Sequence, residues 1–378
     1  MIPLSSPNLS GNEWQYLKDC LDTGWVSSAG SYVGRFEKSV ASFCGAAHAV
    51  ATSSGTTALH ISLLLGGVSP GDLVIVPDLT FVAPVNAVRY VQAAPLLMDI
   101  DPHTWQMDLG LLEDFLQNQT SVRDNHCFHR ATQTRIAAIL PVHILGNCGD
   151  MDRLMRIAAA HSLVVIEDAS EALGSQFAGK QAGNFGLLGC LSFNGNKIIT
   201  TGGGGMIITA NESLANRARH LTTQAKASPD EYYHDEVGYN YRMVNLLAAL
   251  GMAQMEQLPA FLDHKKKITV IYDEALGSLP GFRRQQIPDK GSPNHWLYTL
   301  YVPRLQELRQ FLKLQEIECR PLWVPMHRLP PFRQSLFITR EHQSDDLYAH
   351  AISIPCSTHL TEGQQQEVIR AVNQFYHG

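Results

Sequence analysis

The chain has 378 residues, of which 45% are hydrophobic and 17% are charged, and its formal net charge is −6. A chain of this length predicts two domains, and its composition is that of a globular protein, which excludes a disordered or fibrous one. The negative net charge gives no general attraction to nucleic acid or to anionic membranes, so neither is predicted as a partner.

Two helices are predicted at the start of the chain. Ser10 stands three residues before Glu13, which is the spacing of a capping box, and apolar residues follow at helical intervals from Trp14 to Leu21. A second helix is predicted around 33–44, where apolar residues again recur at helical spacing. Both helices precede the first predicted strand.

Short apolar runs then alternate with helical segments as far as residue 210. The runs lack the strict alternation of half-exposed strands, so they indicate a largely parallel sheet with helices on both faces. The predicted strands are AHAVATSS (47–54), DLVIVP (72–77), APLLMDI (94–100), RIAAILPVHI (135–144), LVVIEDAS (163–170), GCLSFNG (189–195) and GMIITA (205–210). The predicted helices between them are GTTALHISLLLGG (55–67), FVAPVNAVRYVQA (81–93) and DMDRLMRIAAAHS (150–162).

A polar insertion at 118–134 interrupts this pattern and is predicted to form a hairpin. It contains Cys127 between His126 and His129, but this spacing is not that of a zinc site. No metal is therefore predicted.

The pattern changes near residue 250. One or two long helices are predicted over 245–276, and shorter strands and helices follow. The sequence therefore predicts a large domain over 1–250 and a smaller α+β domain over 251–378. The smaller domain has three predicted elements: HWLYTLYV (295–302), LQELRQFLKLQEI (305–317) and TEGQQQEVIRAVNQFYH (361–377).

The cysteines and the start of the chain indicate a cytoplasmic location. The seven cysteines are scattered, odd in number and without a CxxC pair, which is typical of reduced thiols. The first residues, MIPLSSPNLSGNEW, have no basic start and no apolar stretch, so no signal peptide is predicted. The longest apolar run, at 136–145, is too short to span a membrane.

Two motifs follow predicted strands and carry polar groups. In TSSGTTALH a strand runs into a helix at Gly55 and Thr56, where free N–H groups and hydroxyls could bind a phosphate, although an ordinary Ser/Thr cap has the same pattern. Asp168 ends an apolar strand, at the edge of an open α/β sheet where ligands bind. A metal, a ribose hydroxyl or a protonated ring nitrogen could be its partner, or Glu167 or Asp168 could cap a following helix.

Lys197 lies in SFNGNKIITTGGGG, a turn between two short strands. Its neighbours are Phe193, Ile198 and glycines, so the amine is predicted to be partly desolvated, which favours the neutral form that can condense with an aldehyde. A surface lysine on a flexible hairpin is the alternative. The order of a phosphate-binding helix start, the loop aromatic Phe81, the acid and the lysine favours pyridoxal 5′-phosphate (PLP) as cofactor.

The chain also resembles the DegT/DnrJ/EryC1/StrS group of sugar aminotransferases, which have the aspartate-aminotransferase fold (PLP fold type I). The resemblance runs over nearly the whole chain and is carried by GWVSSAG, SSGTTALH, PVHILG, IEDASEALGS, SFNGNKIITTGGGG, GYNYRMVNLLAALGMAQ and PLWVPMH. It implies a large domain with a mostly parallel sheet and a smaller α+β C-terminal domain.

The resemblance also implies roles for particular residues. Lys197 would hold PLP covalently, Asp168 would pair with the pyridine nitrogen, and Phe81 would stack on the ring. Gly55, Thr56 and Ser192 would hold the phosphate, and Asn240 would reach the phosphate of a neighbouring subunit's cofactor, which predicts a homodimer with shared active sites. Glu171 would lie beside the cofactor. Candidates for the sugar-nucleotide pocket are Trp25, Tyr239, Arg242 and His327, each of which could instead have a structural role.

The predicted activity is transfer of an amino group from L-glutamate to the C4 ketone of a nucleotide-linked sugar, with PLP alternating with its pyridoxamine form (PMP). Glu171 and the 118–134 insertion are similar to the branch that aminates UDP-4-keto-6-deoxy-N-acetylhexosamines, toward bacillosamine and legionaminic acid in bacterial glycan biosynthesis. The alternatives are a PLP-dependent dehydratase, in which a histidine replaces the lysine, and a PLP-binding regulator without turnover.

Overall fold

The computed structural model of the protein describes residues 1–228 and 230–377. The strands are β1 (His48–Thr52), β2 (Leu73–Pro77), β3 (Ala94–Met98), β4 (Thr120–Arg123), β5 (His126–His129), β6 (Arg135–Ile139), β7 (Val164–Asp168), β8 (Gln176–Phe177), β9 (Lys180–Gln181), β10 (Leu188–Ser192), β11 (Gly205–Thr209), β12 (Gly291–Ser292), β13 (Tyr298–Tyr301), β14 (Arg320–Pro321), β15 (Leu336–Ile338) and β16 (Ala351–Ile354).

Helices cover most of the remaining chain. They are α1 (Glu13–Thr23), α2 (Ser31–Cys44), α3 (Gly55–Leu65), α4 (Val82–Tyr90), α5 (Leu109–Gln119), α6 (Met151–Ala160), α7 (Glu212–Thr222), α8 (Asn245–Leu276), α9 (Leu305–Leu314), α10 (Gln343–His350) and α11 (Glu362–His377). Short 3-10 turns occupy Ile144–Gly146, Met326–Arg328 and Pro330–Phe332. Within the described residues, no helix is both long enough and apolar enough to cross a bilayer.

A mixed sheet, parallel in most of its pairs, organises the larger part of the protein. Its order is β1-β11-β10-β7-β6-β2-β3-β15, and the β4–β5 hairpin joins it beside β6. The pairs from β10 through to β15 are parallel, whereas β11 is antiparallel to both of its neighbours. The predicted α/β fold is therefore confirmed, and the carboxyl ends of β1, β2, β6, β7 and β10 lie at the same edge.

Apolar side chains cover both faces of this sheet. One core contains residues of α2, α5, α6 and α8, and the other contains residues of α3, α4 and α7. The central strands β2, β7 and β10 are buried along almost their whole length, as continuous apolar runs predict.

The C-terminal part builds a smaller α+β unit. Strands β13, β16 and β14 form an antiparallel sheet, and α9, α11 and the second half of α8 pack on it around a third apolar core. The boundary predicted at residue 250 falls inside the single helix α8, and β15 from the C-terminal part pairs with β3 of the large sheet. The division into 1–250 and 251–378 stays a prediction.

The start of the first helix was predicted wrongly. Asn12, not Ser10, precedes α1, and it makes no side-chain capping bond. The Ser10 hydroxyl instead donates to the Gln257 side chain, while Glu13 accepts the Gly11 N–H. Trp14 and Leu21, two of the apolar residues whose spacing predicted this helix, are 74% and 60% exposed.

The polar insertion forms the predicted hairpin, as strands β4 and β5. Strand β5 also pairs with the start of β6, so the hairpin extends the sheet. It takes no part in lining the large cavity described below.

Candidate active site

A cavity of about 620 Å³ opens at the edge where the parallel strands end. Loops after β1, β2, β7 and β10 form one wall, and residues of the smaller C-terminal unit form the other. This position is the ligand crevice of an open α/β sheet. Among the residues that line it are Gly55, Thr56, Phe81, Asp168, Glu171, Ser192 and Lys197.

The start of α3 forms one end of the cavity. Ser54 caps the helix: its hydroxyl accepts the Thr57 N–H, and the Thr57 hydroxyl accepts the Ser54 N–H. Gly55 and Thr56 are the first two helical residues, so their N–H groups have no acceptor inside the helix. The cap and the phosphate site are therefore compatible, because the cap uses Ser54 and Thr57 and leaves the next two N–H groups for an anion.

Close packing at this end requires a glycine. A Cβ atom on Gly55 would lie 2.9 Å from the Ser192 Cβ and 3.1 Å from the Ser170 hydroxyl. The first turn of α3 thus lies so close to the end of β10 that it leaves no room for a side chain at position 55. Hydroxyls and helix N–H groups are thereby gathered in one small space, which is the donor set that a phosphate needs.

Asp168 is 3% exposed and ends β7 at the floor of the cavity. One carboxylate oxygen accepts the Ser170 N–H at 3.0 Å. Burial raises the pKa of Asp168, and this N–H and the charge of Lys197 oppose the rise. The segment 169–175 forms turns and not a helix, so the alternative of an ordinary α-helix cap is wrong.

Lys197 lies in the turn between β10 and β11 and points at a second carboxylate. Its side chain is 14% exposed, and its Nζ lies 3.5 Å from the Glu171 Oε1 and 4.1 Å from the centre of the Trp296 ring. The other Glu171 oxygen accepts the Leu145 N–H at 2.8 Å. Burial raises the pKa of Glu171, opposed by Lys197 and by that N–H.

Glu167 precedes Asp168 but faces away from the cavity. Its carboxylate accepts hydrogen bonds from the Gly183, Phe185 and Gly186 N–H groups and contacts the His143 Nε2 at 2.9 Å. Burial lowers the pKa of His143, but Cys148 and Glu167 outweigh burial and raise it to about 10. This pair fixes β7 against the loop before β10, and so fixes the position of Asp168.

Phe81 directly precedes α4 and is 54% exposed, with its ring at the cavity. The neighbouring Thr80 is fully buried, and its hydroxyl has no hydrogen-bond partner in the described part of the chain. Thr80 and Phe81 thus both line the cavity, one with an unpaired hydroxyl and the other with an aromatic side chain. Asn240, in contrast, is exposed and does not line the cavity of its own chain.

The four predicted sugar contacts lie outside the cavity of their own protomer. Trp25 is exposed in the turn after α1, and Tyr239 stacks on Tyr241. The Arg242 guanidinium pairs with the Glu37 carboxylate and donates to the Ala51 carbonyl. The His327 Nδ1 donates to the Asp78 carboxylate at 2.7 Å. These contacts are those expected of the structural alternatives, and a role of the four residues at the sugar stays a prediction.

Several residues that line the cavity were not predicted from the sequence. Trp296 lies against Lys197, and Glu318, Arg320 and Trp323 line the wall of the smaller unit. Arg320 brings a positive charge into the cavity, as an anionic substrate would require. Arg320 directly precedes the PLWVPMH motif, so the position of that motif could have identified it as a residue of the site.

Comparisons with known proteins identify the family. The sequence profile of the DegT/DnrJ/EryC1/StrS aminotransferase family matches residues 7–373. The chain is 37% identical to GDP-perosamine synthase of Escherichia coli O157:H7, over 99% of this chain and 98% of that protein. It is 37% identical to the putative pyridoxal phosphate-dependent aminotransferase EpsN of Bacillus subtilis (strain 168), over 100% and 96%. The solved structure of S. venezuelae DesV matches with a TM-score of 0.87 at 28% identity, over 97% of this chain and 95% of that one.

The chain therefore belongs to the DegT/DnrJ/EryC1/StrS aminotransferase family. The predicted family, the type I fold and the cofactor PLP are confirmed. The cavity fits this cofactor, since it presents phosphate donors, an aromatic face, a buried acid and a lysine amine.

Proposed function

We propose that this aminotransferase transfers an amino group from L-glutamate to the C4 ketone of a nucleotide-linked 4-keto-6-deoxy sugar. The observation that carries the proposal is the position of Lys197, whose amine shares one cavity with Asp168, Glu171 and the donors at the start of α3. A cavity of about 620 Å³ also leaves room for a substrate larger than an amino acid.

Each side chain of the site has a separate task in this proposal. The N–H groups of Gly55 and Thr56, with the Ser192 hydroxyl, hold the phosphate, and Phe81 covers the ring. Asp168 keeps a proton on the ring nitrogen, because a buried carboxylate is stabilised by a cation beside it. PLP, when bound, supplies an electron sink for the carbon that loses its proton.

Lys197 would hold PLP covalently, and its free amine would carry the proton at the reacting carbon. A positioned proton carrier of this kind typically contributes about 10² to 10⁴ in rate. Glu171 orients the amine through its contact at 3.5 Å, and it is itself held by the Leu145 N–H. Trp296 shields the same amine from water.

The GDP-linked sugar is the first candidate for the substrate. The Escherichia coli relative is named a GDP-perosamine synthase, and perosamine is a 4-amino-4,6-dideoxy sugar. The UDP-linked N-acetyl sugar predicted from the sequence is the second candidate. It has less support, because the hairpin within 118–134 does not line the cavity and both oxygens of Glu171 already have partners.

A homodimer with shared sites belongs to the proposal. Large apolar or aromatic side chains are exposed on a single chain: Trp14 (74%), Trp25 (56%), Tyr232 (96%) and Val237 (80%). We propose that a second copy of the chain covers these side chains. Asn240 lies near the last two of these along the chain and outside its own cavity, so we place it at the cofactor phosphate of a second copy.

We also propose a cytoplasmic location. All seven cysteines lie in the described part of the chain and are free thiols, and all except Cys319 are buried. Unpaired thiols are typical of a reducing compartment.

The decisive experiment offers the enzyme glutamate with GDP-4-keto-6-deoxymannose or with UDP-4-keto-6-deoxy-N-acetylglucosamine, and identifies the products by mass spectrometry. We expect an amino sugar, and the GDP substrate should react faster. A deoxy-keto product without nitrogen would instead indicate a dehydratase. Cofactor absorbance that glutamate leaves unchanged would indicate a regulator without turnover.

Two further experiments test the cofactor lysine and the shared site. After borohydride reduction the cofactor mass should map to Lys197 and not to Lys180, an exposed lysine of β9. Mixed dimers of Lys197→Ala and Asn240→Ala should regain activity that neither variant shows alone. No recovery in verified mixed dimers would mean that each site is built from one chain.

A further inference from the structure

Three side chains converge on one point outside the cavity: His327, His342 and Asp345. His327 lies in a 3-10 turn, His342 directly precedes α10, and Asp345 lies in the first turn of that helix. One ligand atom from each, a histidine nitrogen or a carboxylate oxygen, lies within 4.8 Å of the other two. We call this group the His327 cluster.

The distances in the cluster match those between the ligands of a tetrahedral metal ion. The Asp345 Oδ2 lies 3.3 Å from the His327 Nε2 and 3.4 Å from the His342 Nδ1. Two ligands at about 2.0–2.1 Å from a tetrahedral zinc ion are about 3.3–3.4 Å apart. Two of the three distances in the cluster therefore already match those between zinc ligands, and the two histidine nitrogens lie within 4.8 Å of each other.

A buried carboxylate orients His327 from behind. The His327 Nδ1 lies 2.7 Å from the Asp78 Oδ2, and the His327 backbone N–H donates to the Asp78 Oδ1. Asp78 is fully buried, and its Oδ2 also accepts the Ser344 hydroxyl. A histidine whose one nitrogen donates to a carboxylate presents the other to a metal, which is the outer-shell arrangement that most histidine ligands have.

The His327 ring is held in place on its face as well. It stacks on Phe337 with ring centres 4.4 Å apart and planes 7° from parallel. Its Nε2 thus faces the cluster in a fixed direction. A ligand held in position in advance loses little freedom when the ion binds.

An ion-pair group is the competing interpretation. Arg328 lies 3.4 Å from the Asp345 Oδ1, so Asp345 could serve only to neutralise basic neighbours. However, Arg328 takes Oδ1, whereas both histidines face Oδ2, and neither histidine contact with Oδ2 has the geometry of a hydrogen bond. The oxygen that the histidines share is therefore the one available to a cation.

A second group in the protein provides the contrast. His220, Asp235 and Glu236 also lie within 4.8 Å of one another. There the His220 Nε2 is hydrogen-bonded to Asp235 at 2.7 Å, and Glu236 is paired with Arg217. This group already satisfies its own polar atoms, so it serves as an internal control.

We propose that His327, His342 and Asp345 bind one zinc ion, with water as the fourth ligand. Two imidazoles and a carboxylate form a donor set that suits zinc, and the exposed side of His342 leaves room for the water. The ion would join the start of α10 to the turn at His327, which Asp78 ties to the loop that carries Thr80 and Phe81. It would thus brace one wall of the active site without touching the substrate.

The test uses untagged, PLP-loaded protein that has been washed with a chelator. Zinc binding is measured by calorimetry, and the visible spectrum of added Co²⁺ reports the coordination geometry. We expect one high-affinity zinc per chain and a four-coordinate Co²⁺ spectrum. Loss of an outer-shell partner typically weakens metal binding by about 10- to 100-fold. His342→Ala and Asp345→Asn each remove a direct ligand, so each should weaken zinc binding by at least that factor.

His220→Ala and His359→Ala are the matched controls, because each removes an imidazole elsewhere on the surface. Both should bind zinc as the unchanged protein does, and zinc should raise the melting temperature of these proteins but not that of His342→Ala. The proposal is overturned if the unchanged protein binds no zinc. It is equally overturned if His342→Ala binds zinc as tightly as the controls, or if His220→Ala is the variant that loses it.

Discussion

Gly55→Ala should separate cofactor binding from folding. The added methyl would lie 2.9 Å from the Ser192 Cβ, whereas carbon atoms in good contact are about 3.5–4.0 Å apart. Ser192 must therefore move by roughly 0.6–1.1 Å. Gly55 is the first residue of α3, where alanine is tolerated, so the fold itself should lose little.

The magnitude follows from the hydrogen bond that this movement disturbs. A hydrogen bond to a charged group is worth about 1.5–3 kcal/mol, and each 1.4 kcal/mol is about tenfold in affinity. If the Ser192 hydroxyl can no longer reach the phosphate, PLP binding should weaken by about 10- to 150-fold. Activity at saturating PLP should recover in large part, because Lys197 and Asp168 are unchanged.

The assay is an absorbance titration of PLP into protein freed of cofactor, with thermal melting of the same samples. Gly34→Ala is the control, because it adds the same methyl to a helix where no atom lies within 4 Å. That variant should keep its PLP affinity and gain about 1 kcal/mol of stability. Unchanged PLP affinity in Gly55→Ala would refute the phosphate site at the start of α3.

Three further substitutions test the groups around the cavity. Asp168→Asn should fold normally and lose at least about 100-fold in turnover, because an amide cannot stabilise a protonated ring nitrogen; near-normal turnover would remove Asp168 from the scheme. Glu167→Gln should lower the free energy of unfolding by about 3–5 kcal/mol, because it breaks a buried ionic group and turns an NH₂ toward N–H donors such as Gly183. The control Glu113→Gln, at a more exposed ion pair, should shift the melting temperature far less. Burial, aided by Arg284, lowers the pKa of His295 to about 4. Below pH 6.5 the unfolded chain therefore binds more protons than the folded chain does. The free energy of unfolding should fall between pH 6.5 and 4, by up to about 1.4 kcal/mol per pH unit. His295→Asn should flatten that slope, and an equal slope in both proteins would contradict the assignment.

Most of the large sheet was predictable, and so was the part of the site that the sheet builds. Parallel strands are buried on both faces, so they appear in the sequence as apolar runs, and their carboxyl ends meet at one edge. The residues that follow those ends, such as Gly55, Phe81 and Asp168, could therefore be grouped from the order of the strands along the chain. Lys197 could be added because its turn joins two of the same strands.

The far wall of the cavity could not be predicted in this way. Trp296 and Arg320 come from the smaller C-terminal unit. The order of strands in the large sheet does not predict which residues of that smaller unit face the cavity. The capping box at Ser10 failed for a related reason: Gln257, on a helix far along the chain, competes for the Ser10 hydroxyl. The contact between His327 and Asp78 could not be predicted either, because the two residues are distant in sequence.

The charges in the cavity explain why two carboxylates are buried around one lysine. Burial raises the pKa of both Asp168 and Glu171, and the charge of Lys197 opposes the rise in both. Glu171 is the carboxylate in direct contact with the amine, at 3.5 Å. Asp168 has a hydrogen bond from the neutral Ser170 N–H and, within the described chain, no ion pair.

Asp168 therefore has, within the described chain, no cationic side chain in direct contact with its carboxylate. A protonated ring nitrogen at that position would stabilise the carboxylate, and the carboxylate would in turn keep the proton on the ring. In the proposed function, Glu171 would have the complementary task of holding the free amine of Lys197 in position through the contact at 3.5 Å. The two acids thus have different partners, which is why replacing Asp168 should affect the chemistry of the ring, whereas replacing Glu171 should affect the position of the lysine.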